Sequence, residues 1–123
     1  MPSARTIRRV SDGDDRHDED AAHPTTRLVL IRHGESNATV ERRIAGHRTC
    51  TGLSPLGVRQ AEALRDRLSS TAELSVDVFV ASNYARAIET AEIIAPALHA
   101  DFCVDARFGE HDPGPTLDGL TFQ

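Results

Sequence analysis

A histidine and two arginines stand where apolar segments end, and a glutamate follows a third such segment. The run Leu28-Val29-Leu30-Ile31 stops at Arg32 and His33. Arg86 lies just after "VDVFVAS" (Val76 to Ser82), and Glu110 follows "DFCVDARF". These residue types suit phosphoryl transfer. A neutral imidazole is a good nucleophile near neutral pH, and the phosphoramidate that it forms on attacking phosphorus is labile enough to hydrolyse. Two guanidinium groups beside it would hold the transferring group bidentately and offset its charge. A carboxylic acid across the site could protonate the leaving alcohol and then activate water. All fourteen basic residues of the chain are arginine and none is lysine, so any anion site here uses forked guanidinium groups.

Such chemistry needs elements that bring the four residues together. The branched apolar run at 28–31 reads as a buried strand. "SPLGVRQAEALRDRL" starts with Ser54 as N-cap and Pro55 at the first helical position, and its stripe Ala61, Leu64, Leu68 has helical spacing despite the cost of Gly57. The run Val76–Ser82 is β-branched and of strand length. "SNYARAIETAEIIAPALH" has Ser82 and Asn83 as cap candidates. It places Tyr84, Ile88, Ala91 and Ala95 along one face until Pro96 ends or kinks it. The segment Asp101–Phe108 is a third candidate strand. Strand, helix, strand, helix, strand with crossovers of this length implies βαβ units and an α/β fold, a mostly parallel sheet covered on both faces. Sites in such sheets gather beyond the carboxyl ends of the strands, so Arg32, His33, Arg86 and Glu110 should converge on one edge.

Taken together, "LVLIRHGES", "SNYARAIETAEIIA" and "FGEHDPG" resemble the histidine phosphatase superfamily, also called phosphoglycerate mutase-like. The resemblance covers roughly Thr26 to Gln123, and "GHRTCTGLSPLGVRQA" is similar to the loop and helix that follow the family's first motif. It implies a three-layer α/β/α fold. It also implies that His33 is the phosphorylated residue, that Arg32 and Arg86 bind phosphate, and that Glu110 donates the proton; Glu35 or Asp112 could also be argued for the acid. Where members often carry an asparagine six residues after the nucleophilic histidine this chain has Thr39, and Asn37, two positions earlier, is a candidate substrate ligand. Members also use a second histidine on a strand well beyond the acid, a position that His47, His99 and His111 do not fill. The expectation is therefore that 27–123 is the N-terminal portion of such a domain. The activity implied is phosphomonoester hydrolysis through phosphohistidine, with mutase-type isomerisation next to it. The competing expectation is a truncated, catalytically deficient binder of phosphorylated ligands.

Composition bounds the rest. Residues 1–26 are poor in large apolar residues, with "SDGDDRHDED" following Arg5, Arg8 and Arg9, and read as a disordered polar head. Its "RRVS", ending at Ser11, has the form of a basophilic kinase site, a pattern that arises readily by chance. The formal charge of −5 gives a nucleic-acid role no electrostatic footprint. No segment approaches the roughly 20 apolar residues of a membrane span, and the head lacks the apolar core of a secretory signal. The expectation is a soluble, cytoplasmic protein acting on a small phosphorylated substrate or a phosphoprotein, without metal or organic cofactor. Cys50 and Cys103 fit reduced thiols, and a nucleophilic cysteine has no recognised base partner here.

Overall fold

The computed structural model describes residues 25–122. Most of the expected polar head lies outside the described residues. The elements are α1 (Asn37–Val40), α2 (Pro55–Thr71), β1 (Val80–Ala81), α3 (Ala85–Leu98), β2 (Cys103–Val104) and a single 3-10 turn (Ala106–Phe108). The two strands pair in parallel, Val80 opposite Cys103 and Ala81 opposite Val104. Asp105 N donates to Ala81 O across them at 2.9 Å. A strand, a crossover helix and a parallel strand make the expected βαβ unit, and the fold is α/β.

Helix α2 begins as the sequence predicts. The Ser54 hydroxyl accepts from Gly57 N, and Pro55 occupies the first turn, where its missing N–H costs nothing. Gly57, which propensity alone would count against the helix, is there for space. A Cβ on it would lie 2.0 Å from Glu35 O, and one on Gly34 would lie 2.4 Å from Gly57 O. The chain after His33 therefore crosses the first turn of α2 backbone against backbone, a contact that only two glycines permit. Glu35 also closes that turn, taking a hydrogen bond from the Ser54 hydroxyl at 2.7 Å.

At their other ends the helices meet through apolar side chains. Leu68, Ala97 and Leu98 are buried together, with Leu64, Leu74, Val76, Phe79 and Ala100 packed around them. Ile94 and Tyr84 are the largest fully buried side chains among the described residues. Helix α3 continues through Pro96 and ends two residues later, at Leu98. Its N-cap is Tyr84, without a side-chain capping bond, instead of Ser82 or Asn83.

Three expectations need correction. The strand expected over Val76–Ser82 is confined to two residues, and the one over Asp101–Phe108 passes into the 3-10 turn after Val104. In that turn the Asp105 carboxylate accepts from Arg107 N, a local bond that competes with a ladder. Residues 28–31, expected as a buried strand, have no regular secondary structure, and Leu28 and Leu30 are 76% and 84% exposed. A strand exists only where a neighbour takes its backbone N–H and C=O groups, and no ladder among the described residues includes this run. No helix among them is long and apolar enough to cross a membrane.

Candidate active site

His33 is half-buried, and its Nδ1 lies 2.6 Å from Gly34 O. A carbonyl can only accept, so Nδ1 carries the proton in this contact and Nε2 of the neutral ring keeps a lone pair. The next peptide is tied to helix α3. Gly34 N donates to the Thr90 hydroxyl at 3.2 Å, and that hydroxyl donates to Arg86 O, one turn earlier, at 2.7 Å. The β-branched Thr90, 5% exposed, thus seats the histidine loop on the turn that carries Arg86.

Arg86 is buried, 7% exposed, and a buried guanidinium must find partners or pay a large desolvation cost. Its Nη2 donates to Glu110 Oε2 at 3.0 Å and its Nη1 contacts Cys50 Sγ at 3.5 Å. Its central carbon lies 4.3 Å from the centre of the Tyr84 ring. That ring is also stacked on His47, centre to centre 4.0 Å and 19° from parallel. Burial pushes the Tyr84 hydroxyl above its ordinary range, the carboxylate of Asp112 adding to the effect and the Arg86 guanidinium opposing it. The Tyr84 hydroxyl has no hydrogen-bond partner among the described residues.

The four residues that the sequence singles out do not fare alike. Arg86 and Glu110 are in direct contact, and His33 reaches the same turn of α3 through Gly34 and Thr90. Arg32 is exposed, next to His33 in the chain. Asn37 opens α1, with its backbone N–H donating to Gly52 O and its Nδ2 to the Thr51 hydroxyl. Of the rival acids, Glu35 is engaged by Ser54, and Asp112 accepts from Gly114 N in a local turn. His99 caps α3, whereas His47 is stacked on the Tyr84 ring that also faces Arg86.

Several residues of the arrangement carry no motif. Tyr84 reads as a core residue on the α3 stripe, and only its polar handle hints at more. Glu89 reaches back to Leu53 N at 2.8 Å, and a Cβ on Gly52 would sit 2.4 Å from the same carboxylate. Asp118 is buried, 5% exposed, and accepts from Gly46 N and Arg48 N, each at 3.0 Å. Glu89 and Asp118 are both distant in sequence from the loop that they hold, so no local pattern could announce them.

Residues 28–123 match the model of the histidine phosphatase superfamily, branch 1. A protein named probable phosphoglycerate mutase GpmB, from Proteus mirabilis, is 38% identical over 87 residues, covering 71% of this chain and 39% of its own length. The solved mycobacterial glucosyl-3-phosphoglycerate phosphatase with VO3 superposes at a TM-score of 0.60 and 31% identity, over 72% of this chain and 42% of that one. Phosphoserine phosphatase from Entamoeba histolytica, in complex with 3-phosphoglyceric acid, gives 0.59 at 27% identity, over 74% and 42%. The chain spans about two fifths of the length of the curated relatives it matches.

Proposed function

The chain belongs to the histidine phosphatase superfamily, branch 1, and on that premise we propose that it is a phosphoryl-transfer enzyme that hydrolyses phosphomonoesters through a phosphohistidine at His33. The observation that carries this reading is the link from Gly34 N through the Thr90 hydroxyl to Arg86 O, which seats the candidate nucleophile on the turn of a buried arginine already joined to Glu110.

In the first step Nε2 of His33 attacks phosphorus, forming the P–N bond as the P–O bond to the alcohol breaks. Glu110 in its acid form passes a proton to the departing oxygen. Arg86 and Arg32 offset the charge on the equatorial phosphoryl oxygens, and in the low-dielectric surroundings of Arg86 that stabilisation exceeds what an exposed cation supplies. In the second step water attacks phosphorus, Glu110 takes its proton, and the P–N bond breaks to return neutral His33 and inorganic phosphate. The substrate class is a small phosphorylated molecule. The names of the relatives include both phosphatases and a mutase. Hydrolysis follows when product leaves before water arrives, and isomerisation when product stays to take the phosphoryl group back.

One observation favours a second reading, binding without turnover: the Glu110 carboxylate is held by Arg86, so the acid and the anion ligand occupy each other. Both readings are tested by turnover of p-nitrophenyl phosphate with a His33→Ala control, together with retention of acid-labile, base-stable phosphate on the protein. Turnover that vanishes in His33→Ala supports hydrolysis, and Arg86→Ala should lower it about 10²–10³-fold. Equal rates in parent and His33→Ala, with phosphate still bound, would leave only the binding reading.

A further inference from the structure

The segment Gly46–Cys50 supplies two of the groups around Arg86, namely the His47 ring against Tyr84 and the Cys50 thiol on the guanidinium. It contains no helix or strand that could hold it. What holds it is Asp118, some 70 residues later. One carboxylate oxygen accepts from Gly46 N and from the Thr49 hydroxyl, and the other from Arg48 N. The Asp118 carbonyl in turn accepts from the Arg48 guanidinium. Three donors converging on one buried side chain require an acceptor-only group, which an ionised carboxylate is and an amide is not. The Thr49 hydroxyl, and after it the two amides, hold the Asp118 carboxyl below its ordinary range. Gly46 fits between two acids: a Cβ on it would lie 2.5 Å from Asp112 Oδ1 and 2.7 Å from Asp118 Oδ2. Asp118 is itself anchored, since Gly119 N donates to Ile44 O and Ile44 N donates to Leu120 O.

We propose that Asp118 is a positioning residue of the phosphoryl site, pinning residues 46–50 so that His47 and Cys50 hold Tyr84 and Arg86 in the geometry that receives phosphate. The inference rests on the reading of Arg86 as a phosphate ligand. Asp118 touches neither substrate nor the transferring group. It acts through the loop, whose thiol reports on the loop's place because it lies against the guanidinium.

The test follows that thiol. In a Cys103→Ser background, the rate of Cys50 alkylation by iodoacetamide is measured with and without inorganic phosphate, beside kcat and KM for p-nitrophenyl phosphate. Asp118→Asn keeps the shape but turns an amide N–H₂ toward a donor. It should raise the alkylation rate and the KM each about tenfold, with a smaller change in kcat, and weaken phosphate protection by the same factor. Thr49→Val, which removes one donor and no buried charge, should move the same readouts in the same direction and serves if Asp118→Asn does not fold. Leu68→Ala, at the far end of the helices, should lower the melting temperature without moving alkylation or KM. Parent-like alkylation and KM in both Asp118→Asn and Thr49→Val, with phosphate protecting the parent, would overturn the inference and leave the phosphate reading standing. Phosphate that fails to slow alkylation in the parent would overturn the phosphate reading, and the inference with it.

Discussion

Where the carboxyl ends of α2 and α3 meet, Leu68, Ala97 and Leu98 pack side chain to side chain. At the amino ends the same two helices are joined to the chain by polar contacts, namely Gly34 N to Thr90, Ser54 to Glu35 and Leu53 N to Glu89. The difference is one of tolerance. Apolar contacts are non-directional, and a core accepts altered shapes at a cost in stability. Hydrogen bonds to buried groups have fixed geometry, and a displaced donor or acceptor loses its whole desolvation compensation. Substitutions at the apolar end should therefore cost stability and spare chemistry, and those at the polar end should cost chemistry first.

Leu68→Ala is the largest expected loss of stability. It deletes a side chain that is 3% exposed at the centre of the apolar cluster, which costs about 2–5 kcal/mol depending on how far the site collapses. Denaturant melts should show that loss, while p-nitrophenyl phosphate turnover below the transition keeps its parent KM. A raised KM in a folded Leu68→Ala protein would break the division between the two ends.

Gly57→Ala sharpens it from the other side. On helix propensity alone the change should stabilise by about 0.5–1 kcal/mol. The added Cβ, however, would stand 2.0 Å from Glu35 O, a backbone atom that cannot swing aside. Overpacking of this kind costs about 1–3 kcal/mol. Because the displaced backbone is the stretch after His33, turnover should fall further than the stability loss explains. A Gly57→Ala protein more stable than the parent and fully active would show that the crossing is looser than the contact implies.

How much of this is legible in the sequence follows the same division. The amphipathic stripe of α2, its Ser54 cap and the βα alternation rest on local patterns, and they appear where the sequence puts them. Arg86 and Glu110 could be singled out because each follows an apolar run, and they meet. Strand extent was not legible, because whether Val76–Phe79 or Leu28–Ile31 joins a ladder depends on a partner elsewhere in the chain. Glu89 and Asp118 were missed because an acid in a polar stretch reads as solvated surface, and only tertiary contacts reveal the amides that they accept from. Gly57 carried a signal that propensity misreads. A glycine inside a strong helix pattern is a cost until something is found to press against it.

The smallest expected effect tests whether polarity alone, without burial, matters at the site end. Asp105 caps the 3-10 turn that leads toward Glu110 and Arg107 lies within it, and their side chains pair at 2.5 Å, with that of Arg107 86% exposed. Hydrogen bonds from the Arg107 side chain, and then from its backbone amide, lower the Asp105 carboxyl to about 2. A carboxyl that titrates lower in the folded state than in the unfolded chain favours folding wherever it is ionised in both, above about pH 4, and that contribution is lost as pH falls toward about 2. Solvent screens an exposed pair, so the loss should barely move the melting temperature between pH 7 and pH 5. Carbon-detected NMR of the Asp105 carboxyl should place its midpoint near 2 in the parent and raise it in Arg107→Ala, short of the ordinary value because the backbone N–H of residue 107 still donates, with p-nitrophenyl phosphate kinetics near pH 7 unchanged. A KM that rises in Arg107→Ala would mean that this surface pair helps to carry Glu110 to Arg86, so that the polar end depends on more than its acids with buried partners.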